Sequence, residues 1–248
     1  MSNLFDLTGK TVLVTGAASG IGRCVAVEAS RLGANLVLVD LNEAGLDETF
    51  NMLTEGNHVT LTCDLTSKEE RDQLVGNVDK LDGMVNCAGV GMTLPFKFCT
   101  EQELGRIMDI NFFGPTYLVQ TLAKKNKINK KASIVYMASI DGTVTGHVGN
   151  SCYAASKGAI MGSVRTQALE FASRGIRVNC VSPARVNTPL IKRNNISEEQ
   201  VKANMESYPM KRYAEPIEIA GYILYLLSDV STYTSGSNLV IDGCFTIV

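Results

Sequence analysis

A short apolar run, Lys10-Thr11-Val12-Leu13-Val14-Thr15, ends in Gly16-Ala17-Ala18-Ser19-Gly20-Ile21-Gly22 and passes directly into a helical pattern over 21–32. This junction constrains the fold more than any other stretch. A glycine turn between strand and helix lets the backbone approach a pyrophosphate, and the helix N-terminus offers N–H donors and a favourable dipole to negative charge. The spacing is Gly-x-x-x-Gly-x-Gly, which differs from the Gly-x-Gly-x-x-Gly of many dinucleotide folds. A second apolar run, 35–39, ends at Asp40. That places an acid about twenty residues beyond the glycines, where a carboxylate can accept hydrogen bonds from ribose hydroxyls.

The same alternation continues along the chain. Strands are predicted near 11–15, 35–39, 58–62, 82–86, 133–138, 177–181 and 238–241, and helices near 21–32, 43–53, 67–78, 101–125, 152–174, 199–207 and 215–228. Strand–helix alternation predicts an α/β fold: a doubly wound, Rossmann-type parallel sheet of about seven strands with helices on both faces. With 248 residues, 45% apolar and 19% charged, one such domain over 1–248 is the natural size. No repeat, low-complexity segment or linker interrupts it. The basic stretch Lys124-Lys125-Asn126-Lys127-Ile128-Asn129-Lys130-Lys131 reads as a solvated helix end and loop before the fifth strand.

Several function classes are disfavoured. A net charge of −2 gives no sign of nucleic-acid or membrane binding. The seven cysteines are scattered without a Cys-x-x-Cys pair, which argues against a disulfide framework and a zinc site and fits a reducing cytoplasm. Two histidines are too few for a His-based metal site, so no metal is predicted. The N-terminus lacks the charged and apolar regions of a signal peptide, and no apolar stretch has membrane-spanning length.

The chemistry centres on Ser151-Cys152-Tyr153-Ala154-Ala155-Ser156-Lys157. Of the eight tyrosines, only Tyr153 has a lysine four residues on, and helical spacing stacks the two side chains on one face. An ammonium beside a phenol is expected to lower the tyrosine pKa and yield a general base usable near neutral pH. The first six predicted strands end in chemically marked residues: Gly16, Asp40, Asp64, the segment 86–89, Ser139 and Pro183. Ligands bind at that edge of such sheets.

Taken together these motifs resemble the short-chain dehydrogenase/reductase family over nearly the whole chain. Thr15-Gly16-Ala17-Ala18-Ser19-Gly20-Ile21-Gly22 resembles its cofactor loop, Asp64 in Cys63-Asp64-Leu65-Thr66 its adenine-contacting acid, and Asn86-Cys87-Ala88-Gly89 its Asn-x-Ala-Gly segment. Asn111, Ser139, Tyr153 and Lys157 match its four catalytic positions, and Pro183-Ala184-Arg185-Val186-Asn187-Thr188 resembles the loop at the nicotinamide end. The resemblance implies a cofactor site formed by Gly16, Ser19, Gly20, Ile21, Gly22, Asp40, Leu41, Asp64, Leu65, Asn86, Ala88, Gly89, Pro183, Val186 and Thr188 together with Tyr153 and Lys157. In that scheme Tyr153 exchanges the proton of an alcohol or ketone. Lys157 lowers its pKa and binds the nicotinamide ribose, Ser139 holds the substrate oxygen, and Asn111 positions a water that links Lys157 to solvent. Cys87, Ala184 and Cys244 depart from the common family residues without removing a catalytic group.

Asp40 would accept hydrogen bonds from a ribose diol and repel a 2′-phosphate, and neither Ser19 nor Leu41 supplies a cation, so NAD is the expected cofactor. The reaction expected is hydride transfer between NAD(H) and a secondary alcohol or ketone. Two alternatives remain: an NADPH-dependent 3-oxoacyl-carrier-protein reductase, and a catalytically silent NAD-binding regulator, a class that typically lacks the Tyr and Lys. The substrate pocket should draw on 141–147, 91–98 and a lid near 187–208. Asp141, Thr143, His147, Asn150, Lys192 and Arg193 make these segments polar and hint at a hydroxylated small-molecule substrate. Small residues on the second long helix (Ala154, Ala155, Gly158, Ala159, Gly162) and the family resemblance imply a homotetramer, with a dimer as second choice.

Overall fold

A computed structural model describes residues 3–192 and 198–248. Seven strands form one sheet: β1 Thr11–Thr15, β2 Asn35–Asp40, β3 Val59–Thr62, β4 Leu81–Asn86, β5 Ile128–Met137, β6 Arg177–Pro183 and β7 Asn238–Ile241, in the spatial order β3-β2-β1-β4-β5-β6-β7. Every pairing is parallel. The connecting helices are α1 Gly20–Arg31, α2 Glu43–Phe50, α3 Lys68–Asn77, α4 Glu101–Met108, α5 Gly114–Lys124, α6 Ser151–Phe171, α7 Pro189–Lys192, α8 Glu198–Glu206 and α9 Pro216–Leu227. The α/β doubly wound architecture read from the sequence is the one observed.

Period-two alternation sends neighbouring strand residues to opposite faces. Leu13 joins Leu118, Leu122, Ile160 and Val164 on the face covered by α5 and α6. Val12 and Val14 join Val25, Ile219, Ile223 and Leu227 on the face covered by α1 and α9. Because both faces are covered, the central strands are apolar without interruption; all seven residues of β6 are buried. Gly83 in β4 is needed for this packing, since a Cβ there would stand 2.8 Å from Leu227 Cδ2 and 3.1 Å from Val12 Cγ2.

Two elements differ from the sequence expectation. The helix expected over 101–125 is split by a π-helical turn, Asp109–Phe113. Pro115 explains the break: it has no N–H for the carbonyl of Asn111, and its ring crowds that carbonyl. Strand β5 starts at Ile128 rather than near 133, so half of the basic stretch belongs to the sheet. The register slips between Leu81↔Ile128 and Gly83↔Ser133, and Lys131 takes φ 65°, which are the marks of a bulge. Within the expected lid, α7 and α8 flank residues 193–197. Arg193 and the side chain of Lys192 lie outside the described residues.

Candidate active site

The glycine turn leans on the exit of β4. Gly16 has φ +70°, and a Cβ on it would stand 2.7 Å from Ala88 N and 2.8 Å from the Cys87 carbonyl carbon, so only glycine permits the contact. The first turn of α1 carries no acidic side chain, and the Ser19 hydroxyl makes no cap hydrogen bond; its leading N–H groups are therefore open to an anion. Asp40 stands beside this turn. Its Oδ2 accepts from Ala18 N at 3.1 Å and its Oδ1 from Asn42 N at 3.0 Å. Asp64 accepts from Thr66 N at 2.8 Å and Thr66 Oγ1 at 2.7 Å. Gly16, Ser19, Gly20, Ile21, Gly22, Asp40, Leu41, Asp64, Leu65, Ala88, Gly89, Pro183, Val186 and Thr188 all line one cleft of about 950 Å³. Asn86 does not: it is buried in β4 with its Nδ2 3.4 Å from Val135 O.

The far end of the cleft gathers Ser139, just past β5, with Tyr153 and Lys157 from α6. Lys157 is buried, and its Nζ donates to Met137 O at 2.8 Å. It lies 5.7 Å from the centre of the Tyr153 ring. Burial pushes the lysine down to about 8. Tyr153 moves against the sequence expectation. Burial raises its phenol to about 12, the Ser139 hydroxyl opposes this by hydrogen bonding, and Asp141 adds to it. The physical reason is that loss of water destabilises both charged forms, while the ammonium is directed at the Met137 carbonyl rather than at the phenol oxygen. In this arrangement burial outweighs the neighbouring ammonium in setting the direction of the Tyr153 shift.

Asn111 sits in the π-turn, fully buried. Its Nδ2 donates to Val90 O and Ser156 Oγ, each at 3.0 Å, and its Oδ1 accepts from Val90 N at 2.8 Å. It thus pins the β4–α4 loop to α6 one residue before Lys157. It does not itself line the cleft. The polar residues expected in the substrate pocket divide. Asp141, His147 and Asn150 line the cleft, whereas Thr143 turns away to Ser139 O and, at 3.0 Å, Ser182 Oγ. Phe96 and Phe98, in the segment expected to contribute, are exposed at 79% and 58%. Sequence reasoning missed the Met137 carbonyl, which has no residue signature, and Phe245, which stacks on Tyr208 with ring centres 4.6 Å apart.

Comparison with known proteins agrees with this geometry. A family model described as enoyl-(acyl carrier protein) reductase matches residues 16–246. The chain belongs to the short-chain dehydrogenase/reductase family. Among its relatives, dehydrogenase/reductase SDR family member 6 of Rattus norvegicus is 32% identical over 245 residues, covering 97% of this chain and 99% of that one. The 3-oxoacyl-acyl-carrier-protein reductase FabG of Rickettsia felis is 32% identical over 246 residues, covering 99% and 100%. A solved short-chain dehydrogenase/reductase from Brucella melitensis, described as a glucose/ribitol dehydrogenase, superposes with TM-score 0.91 at 29% identity over 99% of this chain and 100% of that chain. As a member of this family, the protein is an oxidoreductase that uses a nicotinamide cofactor.

The buried lysine has a measurable consequence. Its pKa is about 8 in the folded protein against an ordinary 10.5, so between those values the unfolded chain binds a proton that the folded one does not. Stability contributed by this site therefore rises with pH across that window. Urea unfolding of the cofactor-free protein and of Lys157→Met should diverge by about 1.4 kcal/mol per pH unit in favour of wild type from pH 8 upward. The raised phenol of Tyr153 is common to both proteins and cancels. A pH-independent difference would show that Lys157 is not depressed before cofactor binds.

Proposed function

We propose that the protein is an NAD-preferring dehydrogenase/reductase that moves hydride between the cofactor and the carbinol carbon of a secondary alcohol or the carbonyl carbon of a ketone. The observation that carries this reading is the convergence of Tyr153, Ser139 and Lys157 at one end of a cleft whose other end holds the open helix N-terminus and Asp40. The cleft fits a dinucleotide: the backbone contact at Gly16 leaves room for a pyrophosphate against α1, and Asp40 and Asp64 flank the place of an adenosine. When bound, a nicotinamide supplies or accepts the hydride. The protein's own groups manage the proton and the oxygen. Ser139 would hold the substrate oxygen against the phenol, and Tyr153 would give its proton to a ketone or take one from an alcohol. Lys157, freed from Met137 O, would supply the positive charge that lowers the phenol.

NAD over NADP is supported by the charges around Asp40. The nearest cation on α1, Arg23, is committed to Glu48 Oε2 at 2.7 Å, to Gly45 O at 3.3 Å and to Ala18 O, so it is not offered to a 2′-phosphate. The competing reading, an NADPH-dependent 3-oxoacyl-carrier-protein reductase, draws on the name of the Rickettsia relative and would require such a cation. The seven unpaired cysteines support a reducing compartment, the cytoplasm. No helix among the described residues is long and apolar enough to cross a membrane.

Tyr153→Phe removes only the ionisable oxygen. Turnover should fall by ~10²-fold or more while NAD binding, followed by fluorescence or calorimetry, stays intact; wild-type kcat on any good substrate would sink the assignment. Wild type should favour NAD over NADP in kcat/KM by at least ~10-fold. Asp40→Ala should weaken NAD use by removing charge-assisted hydrogen bonds and should narrow the preference without creating strong NADP use. Selectivity unchanged by the substitution would remove Asp40 from the ribose.

Assembly as a homotetramer is supported by apolar side chains left open on two surfaces. Phe113, Tyr117 and Leu169 are exposed on the α4–α6 side, and Val240 and Ile247 beside the edge strand β7. Light scattering at micromolar concentration should give the tetramer mass, and a monomer would refute the assembly.

A further inference from the structure

The loop after Ser139 builds a polar constellation that hydride transfer itself does not use. Asp141 is 5% exposed, and both of its carboxylate oxygens are engaged from inside the protein. Oδ1 pairs with His147 Nδ1 at 2.5 Å, and Oδ2 accepts from Asn150 Nδ2 at 2.7 Å. Asn150 Oδ1 in turn accepts from Thr93 Oγ1 at 3.1 Å. The His147 ring stacks on Phe245, with centres 5.5 Å apart. The loop cannot shift easily. Gly142 has φ +85° and rests against the Ala154 carbonyl in the turn that carries Tyr153, and its N–H donates to Thr145 O at 3.0 Å.

With Nδ1 held by Asp141 and one face held by Phe245, the group His147 has left is Nε2, which meets no protein partner among the described residues. His147, Asp141 and Asn150 line the same cleft as Ser139 and Tyr153, and the Asp141 N–H donates to Ser139 Oγ at 3.2 Å. The Asp141 carboxylate, two residues from the serine expected to hold the reacting oxygen, is buried at a desolvation cost, while the His147 ring it anchors keeps 41% of its side chain exposed.

We propose that Asp141, His147 and Asn150 form a subsite for a second hydroxyl of the substrate, so that the alcohol oxidised is a diol or polyol. The proposal rests on the hydride-transfer reading above and names the substrate class for it. A hydroxyl both donates and accepts, so it satisfies Nε2 in either protonation state of the ring. A substrate carboxylate placed there would meet the Asp141 carboxylate, which Coulomb repulsion disfavours. Of the two described arginines that line the cleft, Arg106 and Arg185, Arg185 sits over the Tyr213 ring 6.0 Å from its centre. An acyl chain would leave Nε2 unmatched, and a site built to hydrogen-bond a substrate hydroxyl rejects the analogue that lacks it.

The test uses a matched four-carbon set with NAD: 2-butanol, 2,3-butanediol, 3-hydroxybutyrate and an N-acetylcysteamine thioester of 3-hydroxybutyrate. Wild type should oxidise the diol with kcat/KM at least ~10-fold above 2-butanol. His147→Ala should abolish the preference, bringing the ratio of kcat/KM for the diol over 2-butanol to about one, chiefly through the KM of the diol. His147→Gln, which restores a hydrogen-bonding group, should recover part of the preference. Equal use of diol and mono-alcohol, preference for the acid or thioester, or a preference unaffected by His147→Ala would each overturn the subsite. Should no member of the set reduce NAD, the hydride-transfer reading fails, and binding decides the subsite separately. The chain has two histidines, so ring-proton NMR reports both. Ribitol at millimolar concentration should move the His147 signal and leave His58, whose Nδ1 accepts from Leu36 N at 3.1 Å, in place. No movement of His147 overturns the proposal.

Discussion

Because β1 pairs in parallel with β2 on one side and β4 on the other, the chains leaving Thr15, Asp40 and Asn86 emerge at the same edge and diverge to opposite faces. Everything else in the site depends on that divergence. It opens a crevice at the one place where no crossover helix can cover the strand ends. The contact between the Gly16 turn and the Cys87-Ala88 backbone closes the crevice floor. A side chain at position 16 would separate β1 from β4 where their ends must meet and would raise the floor on which a pyrophosphate rests. The sheet is thus a scaffold that delivers glycine loop, acid, amide segment and serine to one line, and the two apolar layers hold it rigid.

The site itself works against stability. Lys157, Asn111 and Asp141 are buried polar groups, each costing desolvation. Each has been given a partner, and two of the three rely on main-chain atoms: Met137 O for Lys157, Val90 N and O for Asn111. Backbone partners on a sheet end and on a loop pinned by a π-turn cannot relax as flexible side chains can. Lys157 is thereby held on Met137 O, a contact it must leave for its charge to act on the phenol as proposed above. The phenol and the ammonium are both starved of water, and each leans on a different neighbour.

Much of this was legible in the sequence because period and punctuation agree there. The strand–glycine–helix junction at 10–32, the acid after β2 and the Tyr153/Lys157 spacing each follow from local rules, and the sheet order follows from alternation. What was not legible depends on contacts distant in sequence or on backbone atoms. The π-turn needed Pro115 to be read as acting on Asn111 four residues earlier. The start of β5 was hidden by lysines that suit an exposed edge at the bulge as well as a loop. The direction of the Tyr153 shift depended on where Lys157 points, and Met137 O decides that. Asn86, expected at the cofactor from its motif, is drawn into the sheet by Val135 O.

The cleft carries charge of both signs: Asp40, Asp64, the N-terminal end of α1, Lys157 and Asp141 all line it. A dinucleotide presents hydroxyls at its adenosine, two negative charges at its pyrophosphate and further hydroxyls at its second ribose. On the reading proposed above, the part of the cleft that holds Tyr153 takes the redox-active ring, and Asp141 lines that same cleft two residues from Ser139. Its carboxylate holds His147 and Asn150 in place, and on the subsite proposed above those two side chains offer the hydrogen bonds. On the subsite proposed above, a preference for a polyol would follow from a buried carboxylate acting chiefly through the two side chains it anchors.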